Sequence, residues 1–183
     1  MLVAKNYPYN TDLVSERAFT GHIALYKTYI DTVNAITTNT RGMKTAETYA
    51  MNGVTLHEAY LENIGKSGLK ISSEFHRIIA NQYGNYETWI KEFIDVSALA
   101  RAWCAVIFDP RSDRIKTILM DEHDKGMTYG AKIILIIDLV DHAYWPDYLN
   151  NKIAYINNFM DCINWPVVEQ RIKKLGINNS AYL

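Results

Sequence analysis

The chain has 183 residues, 49% hydrophobic and 21% charged, with a formal net charge of −1. That size suits one domain or two small ones around a shared core, and the composition has no pull toward disorder. The near-neutral balance argues against non-specific nucleic-acid binding through a basic surface. The longest apolar run, AKIILIIDLV, is too short for a membrane span and carries Asp138.

In chain order, Ser15 ahead of ERAF predicts a helix N-cap. From His22, the residues Tyr26, Tyr29, Val33 and Ile36 recur at steps of four, three, four and three, one face of a helix. NTRG at residues 39–42 is expected to close it. A second helix is predicted over residues 45–64, with Val54, His57, Leu61 and Ile64 on one face. GKSGL breaks that pattern, and helices over residues 72–82 and 86–99 follow. In the latter, Tyr86, Trp89, Ile90, Phe93 and Val96 make a stripe that reads as core. RAWCAVIFDPRSDRIKTILMD holds two β-rich runs joined by a proline turn at residues 109–113, a hairpin. AKIILIID is a third strand, apolar without alternation and so covered on both faces. Helices over residues 146–162 and 166–175 are predicted to follow, and the tail GINNSAYL is expected to be loosely held. The sum is α+β. An N-terminal helical hairpin domain covers residues 1–66, and a C-terminal α/β domain with a three-stranded antiparallel sheet and packed helices covers 67–183.

The opening MLVAKNYPYNTDLVSERAF shows no apolar segment of the signal-peptide kind. Cys104 and Cys162 lie inside apolar patterns without pair spacing, which reads as buried free thiols in a reducing compartment. A cytoplasmic protein without membrane or nucleic-acid partners is expected.

Asp138 poses the chemical question, because a carboxylate at the end of an apolar strand needs a partner, a proton or a metal. His142 follows one helical turn later, and His22 and His57 lie on core-facing stripes of two separate helices. Of the two remaining histidines, His76 in SSEFHRII has nothing to raise it above a surface group, and His123 in MDEHDKGM sits among charges. Three histidines and a carboxylate suit a redox-active iron or manganese ion with an open position. Spacing alone leaves open whether the four meet.

The residues carry a resemblance along nearly the whole chain. DLVDHAYWPDY resembles the D-x-W-E-H-A-Y-Y-x-D-Y signature of the iron/manganese superoxide dismutase family. TLHEAYLENIG is similar to its H-x-L-Y-W-E-N stretch, INNFMDCINWPVVEQRI to its Y-V-N-x-W-W-N-V-V-N-W-D segment, and KNYPYNTDLVSERAFTGH to its N-terminal motif. The resemblance implies metal ligands His22, His57, Asp138 and His142, with one iron or manganese ion per chain lying between the two domains. It implies His123 as a hydrogen-bonding neighbour of the open position. Gly53, where other members place a glutamine, leaves space for the ring. It also implies superoxide as substrate and a homodimer or homotetramer.

Several positions depart from the family pattern. Tyr26 stands where a histidine is usual, and Tyr29 falls one residue before the usual gate tyrosine, where Ile30 stands. Tyr26, one turn along from His22, is the first candidate for the gate and Tyr29 the second. Trp145 replaces a tyrosine, Asp141 a glutamate that reaches a neighbouring subunit, and Val140 a tryptophan. Of an aromatic wall, only Trp103 remains, and Lys152 stands nearly alone in a segment that is usually more basic. These changes keep three functions in view: a divergent superoxide dismutase, a metal-dependent oxidase of a small organic substrate, and an interaction protein with a structural metal.

Overall fold

The structure, a computed structural model, describes residues 1–177; of the predicted loose tail, 178–183 lie outside the described residues. Ser15 opens the first helix, its hydroxyl accepting the Ala18 N–H at 3.2 Å, and α1 runs Glu16–Ala35. Thr40 opens the second by accepting the Met43 N–H, and α2 runs Arg41–Asn63. Residues 39–42 therefore start α2 instead of closing α1. A threonine that satisfies an orphan N–H of the first turn outweighs the turn-like look of NTRG. Next come α3 (Ser73–Tyr83) and α4 (Tyr86–Leu99), separated at Gly84, whose φ of 85° suits glycine.

The hairpin forms as predicted, from β1 (Trp103–Asp109) and β2 (Arg114–Met120). Asp109 ties its turn from within: the carboxylate accepts from the Arg111 N–H, the Ser112 hydroxyl and the Lys116 ammonium. β3 (Lys132–Asp138) pairs antiparallel with the other side of β1, giving the order β2-β1-β3.

A three-stranded sheet has two unpaired edges, and here an amide side chain pairs with one residue of each. Gln82 of α3 donates to the Ile115 carbonyl of β2 and accepts its N–H. Asn63, the last residue of α2, does the same to Ile136 of β3, at 2.9 Å in both directions. Arg171, on α7 (Trp165–Leu175), then donates to Asn63 Oδ1, to the Ile134 and Ala59 carbonyls and to Glu62. One guanidinium thus joins α2, β3 and α7.

The single helix expected over residues 146–162 is two. α5 (Asp141–Tyr148) starts five residues earlier, and α6 is Lys152–Asp161. Leu149 breaks the run with φ 52°, and Asn151 caps α6 by accepting the Ala154 N–H at 3.0 Å. The early start puts Asp141 and His142 in the first turn of α5. The architecture is α+β, helical in its N-terminal part and α/β in its C-terminal part. Cys104 and Cys162 are buried and unpaired, and burial pushes their thiols up to about 12 and about 11. Among the described residues no helix is long and apolar enough to cross a membrane.

Replacing Asn63 by leucine should cost about 2–4 kcal/mol of unfolding free energy, because both polar groups of Ile136 and one N–H of Arg171 lose their partner. Urea denaturation measures this, and a loss under about 0.5 kcal/mol would show that α2 and β3 are held together by other contacts.

Candidate metal centre

Four elements deliver the predicted ligand residues to one point. His22 comes from α1 and His57 from α2, ring centroids 5.1 Å apart, and His142 of α5 lies 4.9 Å from His22. Asp138 ends β3 with no exposure. Its Oδ2 is 3.2 Å from His22 Nε2, 3.2 Å from His142 Nε2 and 3.7 Å from His57 Nε2. One ligand atom from each of the four lies within 4.8 Å of all the others.

The hydrogen bonds show which atoms of this cluster are left without a partner. The Nδ1–H of His57 donates to the Gly53 carbonyl at 2.7 Å, so its Nε2 carries a lone pair. Burial lowers the His57 pKa to about 3, which keeps the ring neutral. The Nε2 atoms of His22 and His57 are both buried without a hydrogen-bond partner, although a carboxylate oxygen is close by. For His57, a lone pair facing an anion is repulsive unless a cation stands between them. For Asp138, burial pushes the pKa up, but His142 and His22 outweigh it and hold the group well below the usual carboxylate range. For His142, burial pulls the pKa down and Asp138 more than restores it. The Asp138 Oδ1 is committed to the Val140 N–H at 3.0 Å, which leaves Oδ2 for the cluster. Nitrogen and carboxylate donors with orphaned, inward-facing atoms fit an iron or manganese ion.

The neighbours are aromatic. Trp103, paired with Asp138 across the sheet, sets its ring 5.1 Å from that of His57, and Tyr60 stacks on His22 at 5.1 Å. His123 is 4% exposed, with its ring 5.6 Å from His57. A Cβ on Gly53 would lie 2.7 Å from His123 Nδ1, so the missing side chain makes the space that this ring occupies. That Nδ1 is buried with no hydrogen-bond partner.

The structure brings Tyr29, rather than Tyr26, against these rings. Tyr29 lies 5.2 Å from His57 and 4.8 Å from His123. The Tyr26 hydroxyl instead donates to Glu58 at 2.8 Å and accepts the Lys5 N–H at 3.0 Å, and its ring meets Tyr7. Helix geometry gives the reason. At about 100° per residue, seven positions return within about 20° of the direction of His22, whereas four overshoot by about 40°. Burial pushes the Tyr29 hydroxyl up to about 12, so it keeps its proton.

Residues 71–171 match the family profile described as iron/manganese superoxide dismutases, C-terminal domain. The chain belongs to the iron/manganese superoxide dismutase family. Among similar proteins is a superoxide dismutase (Mn) of Haloferax volcanii, 27% identical over 64% of this chain and 60% of its own length. A superoxide dismutase (Mn) of Halobacterium salinarum is 26% identical over 86% of this chain and 88% of its own. A superoxide dismutase (Fe) of Methanothermobacter thermautotrophicus is 24% identical over 92% of both chains. At that distance, two of the positions that depart from the family pattern have local partners. Asp141 accepts the Tyr144 hydroxyl at 2.8 Å, and the Lys152 ammonium donates to the Ala100 carbonyl at 2.6 Å. Trp145 is 48% exposed.

Three contributors escaped the sequence reading. Asn63 and Arg171 look like ordinary helix polar residues, and Tyr49, stacked on His123 at 4.4 Å, looks like a surface aromatic. Only the spacing of Tyr49, Gly53 and His57, four apart on α2, carried a signal.

Gly53→Ala should destabilise the fold by about 1–3 kcal/mol, since the new methyl overlaps His123. In a His123→Ala background the same change should cost less than about 0.5 kcal/mol, the mark of direct coupling. Equal costs in both backgrounds, by chemical denaturation, would dissociate the pair.

Proposed function

We propose that the chain is a superoxide dismutase that disproportionates superoxide to dioxygen and hydrogen peroxide, with one iron or manganese ion held by His22, His57, Asp138 and His142 between residues 1–66 and 67–183. The observation that supports this reading is the pair of buried, partnerless Nε2 atoms aimed at the Asp138 carboxylate. When bound, the ion supplies a one-electron couple between its trivalent and divalent states.

The chain's own residues do the rest. The Gly53 carbonyl holds His57 in the tautomer that presents Nε2. Asp138 offsets part of the charge of the ion, and Trp103 and Tyr60 keep water from the ligand side of the cluster. Tyr29, protonated at neutral pH, closes the approach and donates a hydrogen bond toward the reacting anion. His123, with a free buried nitrogen, holds a proton or a solvent molecule at the same opening. His142 retains 31% side-chain exposure, and the nearby α5–α6 segment exposes Trp145, Leu149 and Ile153. A second copy covering that surface, as a homodimer or homotetramer in the cytoplasm, completes the reading.

A cleft of about 860 Å³ bordered by Tyr29 and Tyr49 favours a second reading, a metal-dependent oxidase, because it has room for a small organic substrate.

Metal analysis of the purified protein, with a superoxide-consumption assay, tests the two readings. About one iron or manganese ion per chain and fast superoxide loss are expected, and Asp138→Ala should empty the site. A full metal complement in Asp138→Ala would overturn the ligand assignment. A metal-replete protein that ignores superoxide but oxidises phenols would favour the oxidase. Tyr29→Phe should lower turnover about tenfold with the metal retained, whereas Tyr26→Phe should cost about 1 kcal/mol of stability. The opposite pattern would return the gate to Tyr26.

A further inference from the structure

His123 is held in an unusual way. It rises from a tight turn in which the Asp121 N–H donates to the Lys125 carbonyl at 3.1 Å, so its backbone is fixed. Its ring is less constrained. Open space borders it on one side, a cavity of about 460 Å³ lined by Thr48, Asn52, Thr55 and Thr128. Beyond Tyr29 and Tyr49 lies the larger cleft of about 860 Å³. Its Nδ1 has no hydrogen bond to set the ring angle, although the ring also bonds the Tyr49 backbone and is met edge-on by Tyr29 at 4.8 Å and 73°. The flat face is set by α2, where Tyr49, Gly53 and His57 follow one another four residues apart and form a ladder with an empty rung. The His123 ring occupies the rung. Tyr49 lies flat against it at 4.4 Å and 27°, and His57 stands on its other flank, edge-on at 5.6 Å and 87°.

We infer that Tyr49 is a positioning residue: its ring fixes the angle of His123 beside the metal centre and separates His123 from the cleft. Resting on the superoxide dismutase reading for its effect on turnover, the inference specifies a job for the flat ring, not for the hydroxyl. Phenylalanine therefore replaces tyrosine without loss, and a flexible aliphatic side chain of similar bulk does not.

The test compares Tyr49→Phe with Tyr49→Leu, with Tyr49→Met as a second aliphatic variant should leucine not fold. Metal content is expected to be unchanged in all of them. Turnover per bound ion should fall about tenfold in Tyr49→Leu and stay within about twofold in Tyr49→Phe. In a His123→Ala background, Tyr49→Leu should cost nothing further. In the full chain exchanged into diamagnetic zinc, the nuclear Overhauser contacts between the His123 and His57 rings should change in Tyr49→Leu and stay in place in Tyr49→Phe. Those contacts report the ring angle and do not depend on the substrate or on the lost ring current. If the unmutated chain consumes no superoxide and the contacts still change, the proposed function fails while the positioning of His123 stands. Unchanged contacts in folded Tyr49→Leu overturn the inference. So does equal loss in Tyr49→Phe, or a full additional loss in the His123→Ala background.

Discussion

A carboxylate with no solvent exposure ends the apolar edge strand β3, and two buried imidazole nitrogens face it without a hydrogen bond. Bringing such groups out of water costs several kcal/mol per charge in effective terms; His142 and His22 offset this for Asp138, but the Nε2 lone pair of His57 faces the carboxylate with no return. A cation bound there would change the sign of that balance, since the lone pair of His57 that repels Asp138 Oδ2 would become a donor aimed at a shared centre. The rest of the fold holds these four side chains together. Each comes from a different element, and none of these elements could place its side chain without the others.

The rigidity that this requires is concentrated at the far end of α2. Asn63 extends the hydrogen-bonding edge of β3 at Ile136, two residues before Asp138 and six after His57 on its own helix. Arg171 locks the joint by bonding Asn63, Glu62 and two carbonyls at once. A shift of a few tenths of an ångström between α2 and β3 would open the gap between His57 and Asp138, so this joint sets the dimensions of the centre. The opposite edge of the sheet is engaged at Ile115 by Gln82 in the same manner.

Much of this was legible in the sequence wherever physics is local. The three- and four-residue spacing from His22, the Ser15 cap and the proline turn of the hairpin each report on neighbours a few residues away. The structure follows them closely. The early start of α2 at Thr40 and the break at Leu149 were missed, because a capping threonine and a left-handed leucine leave weak traces in composition. Tyr26 drew attention through its one-turn spacing from His22, yet the drift of helical azimuth carries it toward Glu58 and gives the place beside the histidines to Tyr29.

What the sequence by itself determined is most of the elements and the burial of His22, His57 and Asp138, which follow from periodicity and capping along the chain; the pairing of a missing side chain at Gly53 with a ring at His123 came from the family resemblance. Only the tertiary structure decided which tyrosine meets the centre, that Asn63 and Arg171 tie α2 to β3, and that Tyr49 lies flat on His123. Those choices depend on the angle and offset at which separate elements pack, and they are set by contacts between residues far apart in sequence, about which local patterns carry no information.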